Sequence, residues 1–299
     1  MFNGAGKVVA NAIVVGEALG TVLGDFVTGA AAGTTDLAIS TGQIYISPVG
    51  VTLTASVEGE KKMIQKHSIL LWKKAESKEK NFEEIAKEAF RTLDIFQEYP
   101  WILRPNYLTV ELEKDIKEFD WNYENFRRTL KESVNREDEI IFEDLGYCLS
   151  FFSSTNEIDA SGFLMLVGNK NDKFCNVFDM KLPLSLCLYD RENADMIEQI
   201  FKKLVYYYKP FWGCVSNSVL SEKYGRFMEK DLPRTVHWLN YWSDSICSAI
   251  GTEKIQRIVR ENEEASFTEG IFKIKNTAIN AEAEDEMEYQ MQLHNQLFS

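Results

Sequence analysis

Residues 146–189 contain three apolar runs, GYCLSFFS (146–153), GFLMLVG (162–168) and NVFDMKLPLSLCLY (176–189), and the segments STNEIDAS and NKNDK lie between them. Each run is long enough for one strand, and the separators are rich in Asn, Asp and Ser, which favour turns. Consecutive strands that are joined by short turns pair with opposite directions. The stretch therefore predicts an antiparallel meander. Pro183, within the third run, indicates an edge strand or a bulge.

Helices are predicted on both sides of this meander in the sequence. One helix is indicated by an apolar stripe at helical spacing, formed by Phe82, Ile85, Ala89, Leu93 and Phe96. Further helices are predicted at 121–134, 191–209 and 250–262, and further strands at 67–74, 107–113 and 211–217. Runs of strands with helices between them are typical of an α+β fold. We therefore expect an antiparallel sheet that is covered by helices.

A change in composition divides the chain into three parts. Residues 1–60 form a Gly/Ala-rich N-terminal extension, and alternating residues near its end predict a β-hairpin. Residues 61–280 form the α+β domain. Residues 281–299 form an acidic C-terminal tail, because EAEDEME (282–288) holds five acids in seven positions. Such a charge run predicts a solvated tail or an exposed helix.

The apolar part of the extension, residues 8–33, has two interpretations. Glu17 and Asp25 interrupt it, and a charge at the centre of a bilayer costs about 2.5–3.5 kcal/mol on insertion scales. A hairpin outside the membrane is therefore favoured over a spanning helix, and no signal peptide is predicted. A module that is tethered to the membrane through residues 8–33 is the alternative.

Charge and cysteine usage limit the function classes. The chain has 299 residues and a net charge of −13, which disfavours nucleic acid and suits a basic protein partner. Its five cysteines lack CxxC spacing, a pattern that favours reduced thiols and a cytoplasmic location. The three histidines lie far apart, and motifs for phosphate cradles and serine hydrolases are missing. We therefore predict no metal and no cofactor.

The stretch RTVHWLNYWSDSICSAIG (234–251) concentrates aromatic residues around His237, and it allows two interpretations. The catalytic interpretation combines Cys214 or Cys247 as nucleophile with His237 as base and Asp244 as its orienting acid. This arrangement requires proximity between distant segments that the sequence does not demonstrate. No catalytic residue is therefore assigned.

The structural interpretation of the same stretch is favoured. Residues 236–240 alternate as a short strand, with His237 and Asn240 as hydrogen-bonded polar groups of the core. A helix follows, with Ser243 or Asp244 as its cap. Gly251 then ends this helix in a left-handed conformation. The buried stripe of the helix is predicted to be Ile246, Ala249 and Ile250.

This segment resembles the C-terminal signature of a bacterial type VI secretion immunity family. The residues that carry the resemblance are His237, Trp238, Leu239 and Asn240, with Pro233 before them and Gly213 on the preceding strand. The family has a Gly-Val-His-Trp-Leu-Asn-like strand, whose Gly is Thr235 here. The resemblance covers residues 64–258. It implies an α+β protein that neutralises a co-encoded toxin, and it brings no catalytic residues.

The sequence thus predicts an immunity protein, not an enzyme, that binds a cognate toxin and occludes its active or partner surface. A basic toxin is the favoured partner. Interface cores favour large aromatic residues, so Trp101 and Trp121, together with Glu118 and Asp120, are the predicted toxin contacts. For either tryptophan, ordinary core packing is the alternative. The alternative functions are an enzyme that uses a Cys/His pair and a membrane-tethered binding module.

Overall fold

The structure is a computed structural model that describes residues 65–298 except 111–112, 138, 225–227, 230–231 and 234. The predictions for the extension, residues 1–60, lie outside the described residues. None of the described helices is long and apolar enough to cross a bilayer.

Strands are the main organising elements of the described chain. In chain order they are β1 (His67–Lys73), β2 (Tyr107–Leu108), β3 (Arg136–Glu137), β4 (Ile140–Ile141), β5 (Tyr147–Phe152), β6 (Gly162–Val167), β7 (Asn176–Lys181), β8 (Trp212–Asn217), β9 (Met228–Glu229), β10 (Leu232–Pro233), β11 (Leu239–Trp242), β12 (Ser266–Thr268) and β13 (Ile271–Lys273). Nine of them form one antiparallel sheet in the order β12-β13-β11-β8-β1-β7-β6-β5-β2. The pairs β3–β4 and β9–β10 form separate two-stranded sheets.

The predicted meander is present as β5, β6 and β7. Tyr147 pairs with Val167, and Gly162 pairs with Lys181. Strand β1 occupies the centre of the sheet, between β8 and β7. Its residues 69–72 are all buried, so both faces of the strand are covered. This double burial explains why the run HSILLWKK does not alternate, and the α+β prediction is confirmed.

Helices cover this sheet, as predicted. They are α1 (Phe82–Asp94), α2 (Tyr123–Glu132), α3 (Arg191–Tyr208), α4 (Ser218–Tyr224), α5 (Asp244–Ile250), α6 (Thr252–Glu261) and α7 (Glu284–Phe298). Helix α1 begins at a capping box, in which Asn81 accepts from the Glu84 amide and Glu84 accepts from the Asn81 amide. It packs against α2 and α3, and α3 packs against β1. The predicted stripe buries Ile85, Ala89 and Leu93.

The predicted strand at 107–113 is present only at Tyr107 and Leu108; residues 109, 110 and 113 are not in a strand, and 111–112 lie outside the described residues. Only Tyr107 and Leu108 pair with β5, and the Thr109 amide donates to Ser150 O at 2.9 Å. The chain then turns back on itself, so that the Phe119 amide donates to Asn106 O at 2.7 Å. This returning segment lies beside the edge strand β2. The apolar alternation of 107–113 therefore serves a short edge strand and the loop that follows it.

Two smaller predictions are also corrected. Strand β7 ends at Lys181, and Pro183 lies in the following turn, where its carbonyl accepts from the Leu186 amide at 3.1 Å. Because β7 pairs with β1 and β6, the third run is an internal strand, and the edge or bulge that Pro183 suggested is wrong. Proline has no backbone N–H to donate to a neighbouring strand, so it is tolerated in a turn.

The acidic C-terminal segment forms helix α7. Its acids Glu282, Glu284, Asp285 and Glu288 are exposed, as the charge run predicts. A free tail is nevertheless wrong for the second half of the helix, where Gln290, Leu293 and Leu297 are buried. Apolar residues at positions 293 and 297 form an i, i+4 stripe that packs into the core. The boundaries between the three parts of the chain remain predictions.

Stability is expected to fall as the pH falls from about 6.5 towards 4. Burial lowers the pKa of His67 from 6.5 to about 4, and its Nε2 lies 3.3 Å from the amide nitrogen of Asn217, which matches a neutral ring that accepts. As the pH falls from 6.5 to 4, His67 is protonated in the unfolded chain before it is protonated in the folded one. The free energy of unfolding therefore falls by on the order of 1–3 kcal/mol over this pH range. We expect H67Q to remove this part of the pH dependence in urea unfolding at pH 7 and 5. An equal pH dependence in both proteins would contradict it.

Candidate functional site

The six residues of the family-like signature all lie in the protein interior. His237, Trp238, Leu239, Asn240, Gly213 and Pro233 are buried. Gly213 lies opposite Leu71 in the pairing of β8 with β1. A Cβ at Gly213 would lie 2.4 Å from Leu71 Cδ2 and 3.0 Å from Leu70 O, so a larger residue would force the buried Leu71 side chain to move. The signature therefore marks close packing around the middle of the sheet.

Asn240 forms buried hydrogen bonds that hold the signature segment, residues 236–242, in place. Its Oδ1 accepts from the His237 amide at 2.9 Å. Its Nδ2 donates to His237 O at 2.7 Å and to Phe272 O at 3.3 Å. Satisfied polar groups of this kind fix one arrangement of a core, since an unsatisfied partner is costly. The sequence prediction that Asn240 is a hydrogen-bonded core residue is confirmed.

Helix α7 also binds to this segment. Gln290 Nε2 donates to Val236 O at 2.6 Å and to Thr235 Oγ1 at 3.0 Å. Trp238 Nε1 donates to Lys275 O at 2.9 Å. The acidic C-terminal helix is therefore joined to the signature segment by buried polar contacts that sequence periodicity does not indicate.

The local elements of 234–251 differ in detail from the prediction. Strand β11 begins at Leu239, and residues 236–240 are all buried, so the predicted alternation is wrong. Ser243 stands at the N-cap of α5, but its hydroxyl lies 3.0 Å from Ser245 Oγ and does not cap an amide. Ala249 is exposed. Gly251 adopts φ +100°, the positive φ that its predicted role at the helix end requires.

The candidate nucleophiles are placed in or near the core. Cys214 lies on β8 and is buried, as is His237. Burial raises the pKa of the Cys247 thiol, whose sulfur donates to Trp242 O at 3.4 Å. Asp244 is exposed at the start of α5. A thiol with a raised pKa is protonated at neutral pH, whereas a nucleophile must be a thiolate.

An open groove beside the edge strand β2 brings together two of the four predicted contact residues, Glu118 and Asp120. Its volume is about 270 Å³. The residues that line it are Leu108, Val110, Asp115, Lys117, Glu118, Phe119, Asp120, Asn125 and Arg128. Apolar side chains are thus combined with three carboxylates and two cations. Such a mixed surface suits a protein partner, which needs an apolar centre and a polar rim.

The rim of this groove is fixed by hydrogen bonds at the start of α2. Asp120 Oδ2 accepts from Asn122 Nδ2 at 2.9 Å and from Asn125 Nδ2 at 2.8 Å. Arg128 Nη2 donates to Asn125 Oδ1 at 3.0 Å. Asn122 in turn caps α2 by accepting from the Asn125 amide at 3.0 Å. The same residues that start the helix therefore orient the carboxylate of Asp120.

The two predicted tryptophans have different surroundings. Trp101 is 45% exposed, and its ring meets Tyr107 edge to face at 6.5 Å. Trp121 is half-buried, stacks on Phe90 at 5.6 Å and donates from Nε1 to Asp94 Oδ1 at 2.8 Å. Core packing therefore accounts for the position of Trp121, while Trp101 offers an exposed ring. The assignment of either residue to a toxin contact remains a prediction.

Aromatic side chains pack against one another next to the groove. Phe119 meets Phe151 edge to face at 5.2 Å, and Trp121 meets the same ring at 5.9 Å. Phe126 stacks against Phe151 at 6.5 Å. Edge-to-face and offset arrangements of this kind add about 0.5–1.5 kcal/mol per pair beyond area burial. The groove is therefore built on packed aromatic side chains.

Sequence reasoning missed a second exposed surface, the hairpin β3–β4 with the residue that follows it. In the sequence, the apolar run Ile140-Ile141-Phe142 lies between the acidic pairs Asp138-Glu139 and Glu143-Asp144. All three apolar side chains are exposed. The sequence signal for an exposed apolar surface is a run of three large apolar residues between acids, in a segment too short to be a core strand.

Within the described residues, no group of three or more His, Cys, Asp or Glu side chains is arranged to hold a metal ion.

No protein-family model and no curated protein sequence matches the chain. Its structure is similar to that of a T6SS (type VI secretion system) protein of Pseudomonas aeruginosa, PA0821, with a TM-score of 0.52. The likeness covers 88% of this chain and 82% of that chain, at 13% sequence identity. At this identity, the likeness is one of fold.

Proposed function

We propose that this chain is an immunity protein that binds and neutralises a cognate toxin delivered by type VI secretion. The observation that carries the proposal is the fold shared with a T6SS protein over most of both chains. The resemblance of residues 236–242 to an immunity family is the sequence argument for the same proposal, and no family model matches the chain.

The proposed mechanism is occlusion of the toxin by a preformed surface. The groove beside β2 offers apolar side chains such as Phe119 within a rim of carboxylates that includes Glu118 and Asp120. The ring of Trp101 is exposed and contacts Tyr107 of β2, the strand beside the groove. Trp101 is the proposed aromatic anchor. A net charge of −13 would accelerate association with a basic toxin through electrostatic steering.

The test is direct binding between the full chain and the purified product of the gene adjacent to its own. We expect a 1:1 complex whose association rate falls steeply as the salt concentration rises, since long-range steering is screened within about 8 Å at physiological salt. Surface plasmon resonance at two salt concentrations measures this. A salt-independent association rate would contradict the steering mechanism.

A matched variant then locates the surface. E118K reverses a charge on the groove rim and is expected to lower the association rate about tenfold at low salt. E157K is the control, because Glu157 is also exposed but lies in the loop between β5 and β6. Co-expression completes the test: the full chain should restore growth of a host that expresses the adjacent gene. Failure to bind and failure to protect would together overturn the proposed function.

A further inference from the structure

We propose that the hairpin β3–β4 and Phe142 form a docking finger that enters an apolar cleft, bordered by Lys and Arg, on the basic toxin. This inference rests on the proposed function and adds a contact surface outside the groove. The apolar tip is defined as Ile140, Ile141 and Phe142, a run that extends from the end of the turn to the base of the hairpin.

The apolar tip is exposed on both sides of the hairpin. Ile140, Ile141 and Phe142 are 63%, 55% and 37% exposed. Successive residues of a strand point to opposite faces, so the exposure of both isoleucines means that more than half of the apolar surface is open on each face of this strand. Single exposed apolar residues are ordinary, but three consecutive ones form a patch of the kind that marks interaction sites.

Acidic residues flank the apolar tip in the sequence and on the surface. Glu139, Glu143 and Asp144 are exposed, and Glu137 and Asp138 precede them in the chain. The one cation of the segment, Arg136, donates from Nη2 to the backbone oxygen of Glu132 at 2.6 Å. A partner that covers the tip must therefore bring positive charge close to these carboxylates, or leave them desolvated without a partner.

Hydrogen bonds hold the base of the finger. Asn135 is buried, its amide donates to Gly146 O at 3.0 Å, and its Nδ2 donates to Leu145 O at 2.7 Å. The Phe142 amide donates to Asn135 O at 2.8 Å, which closes the hairpin. Preorganisation of this kind lowers the entropy that a surface loses on binding.

The charge also selects the class of partner. A second copy of the chain would bring the same carboxylates and a net charge of −13 to the contact, so self-association is opposed. An anionic lipid surface is repelled in the same way. A basic protein with an apolar cleft satisfies both the tip and its acidic flanks.

The experiment uses the full chain and the adjacent gene product as the binding probe. I140S/I141S is expected to raise the Kd about 30-fold or more, mainly through faster dissociation, because buried interface anchors dominate affinity. I158S is the matched control: Ile158 is 59% exposed in the loop between β5 and β6, and the Kd should change less than about threefold. Both proteins should unfold at the same urea concentration as the unsubstituted chain.

Three outcomes are informative. Weaker binding of I140S/I141S with an unchanged I158S supports the docking finger. Equal Kd values for I140S/I141S and the unsubstituted chain overturn the finger and leave the proposed function in place. Absence of binding by the unsubstituted chain overturns the proposed function, and the docking finger falls with it.

Discussion

Replacement of Gly146 by alanine is expected to destabilise the protein by at least about 4 kcal/mol. Gly146 follows the 3-10 turn Glu143–Leu145 and adopts φ +71° and ψ −143°, a region that is almost restricted to glycine. A Cβ there would lie 2.2 Å from Val167 O and 2.6 Å from Asn169 N. These are backbone atoms of the meander, which cannot move aside without breaking strand pairing.

The matched control is Gly162→Ala, at the start of β6 in the same meander. A Cβ at Gly162 meets Lys181 Cβ at 3.8 Å, an ordinary contact, so the expected change is within about 1 kcal/mol. Urea unfolding of the full chains, followed by intrinsic tryptophan fluorescence, measures both. A Gly146→Ala protein as stable as Gly162→Ala would contradict the structure at the base of the hairpin.

Local patterns in the sequence predict the central elements of this fold well. The three runs between 146 and 189 contain β5, β6 and β7, because each run alternates or is apolar over a strand length; the third run forms a strand only over Asn176–Lys181. The stripe through Ile85, Ala89 and Leu93 becomes the buried face of α1 for the same reason. These signals act within one element, so the sequence alone contains them.

Features that depend on contacts between distant segments were missed or misjudged. The strand predicted at 107–113 ends early because Phe119 returns to bond Asn106, a contact that periodicity does not encode. The acidic run at 282–288 predicts a solvated tail or an exposed helix, and an exposed helix is present there. The charge run does not predict the burial of Leu293 and Leu297, because this burial depends on contacts with distant parts of the chain. Tertiary burial here overrides the local charge signal.

The candidate site divides in the same way. The sequence allows a catalytic or a structural interpretation of the stretch around His237. In the structure this stretch is buried and connects the sheet to α7. The exposed surfaces are the groove at Glu118 and Asp120 and the finger at Ile140 and Ile141. The sequence indicates the residue types of the groove, but only the fold places them side by side.

Replacement of Asn240 by alanine is expected to cost about 2–4 kcal/mol of stability without changing the toxin affinity of the folded protein. The substitution removes the acceptor of the buried His237 amide and the donor to His237 O, so both groups lose partners inside the core. Asn262→Ala is the matched control, because its one side-chain bond, to Ile258 O at 2.7 Å, lies at the end of α6 near solvent. Its expected cost is about 1 kcal/mol or less.

Urea unfolding gives the stability of both variants, and binding of the adjacent gene product is measured below the unfolding transition. A structural role for the signature segment requires that stability falls for Asn240→Ala while the Kd stays within about threefold, since the residue contacts no exposed surface. A large loss of affinity in a variant that keeps its stability would instead assign the segment around His237 to the binding site. Because unfolding reports on the core and the Kd reports on the contact surface, this pair of measurements separates the structural role of the signature segment from the proposed interface role of the groove and the docking finger.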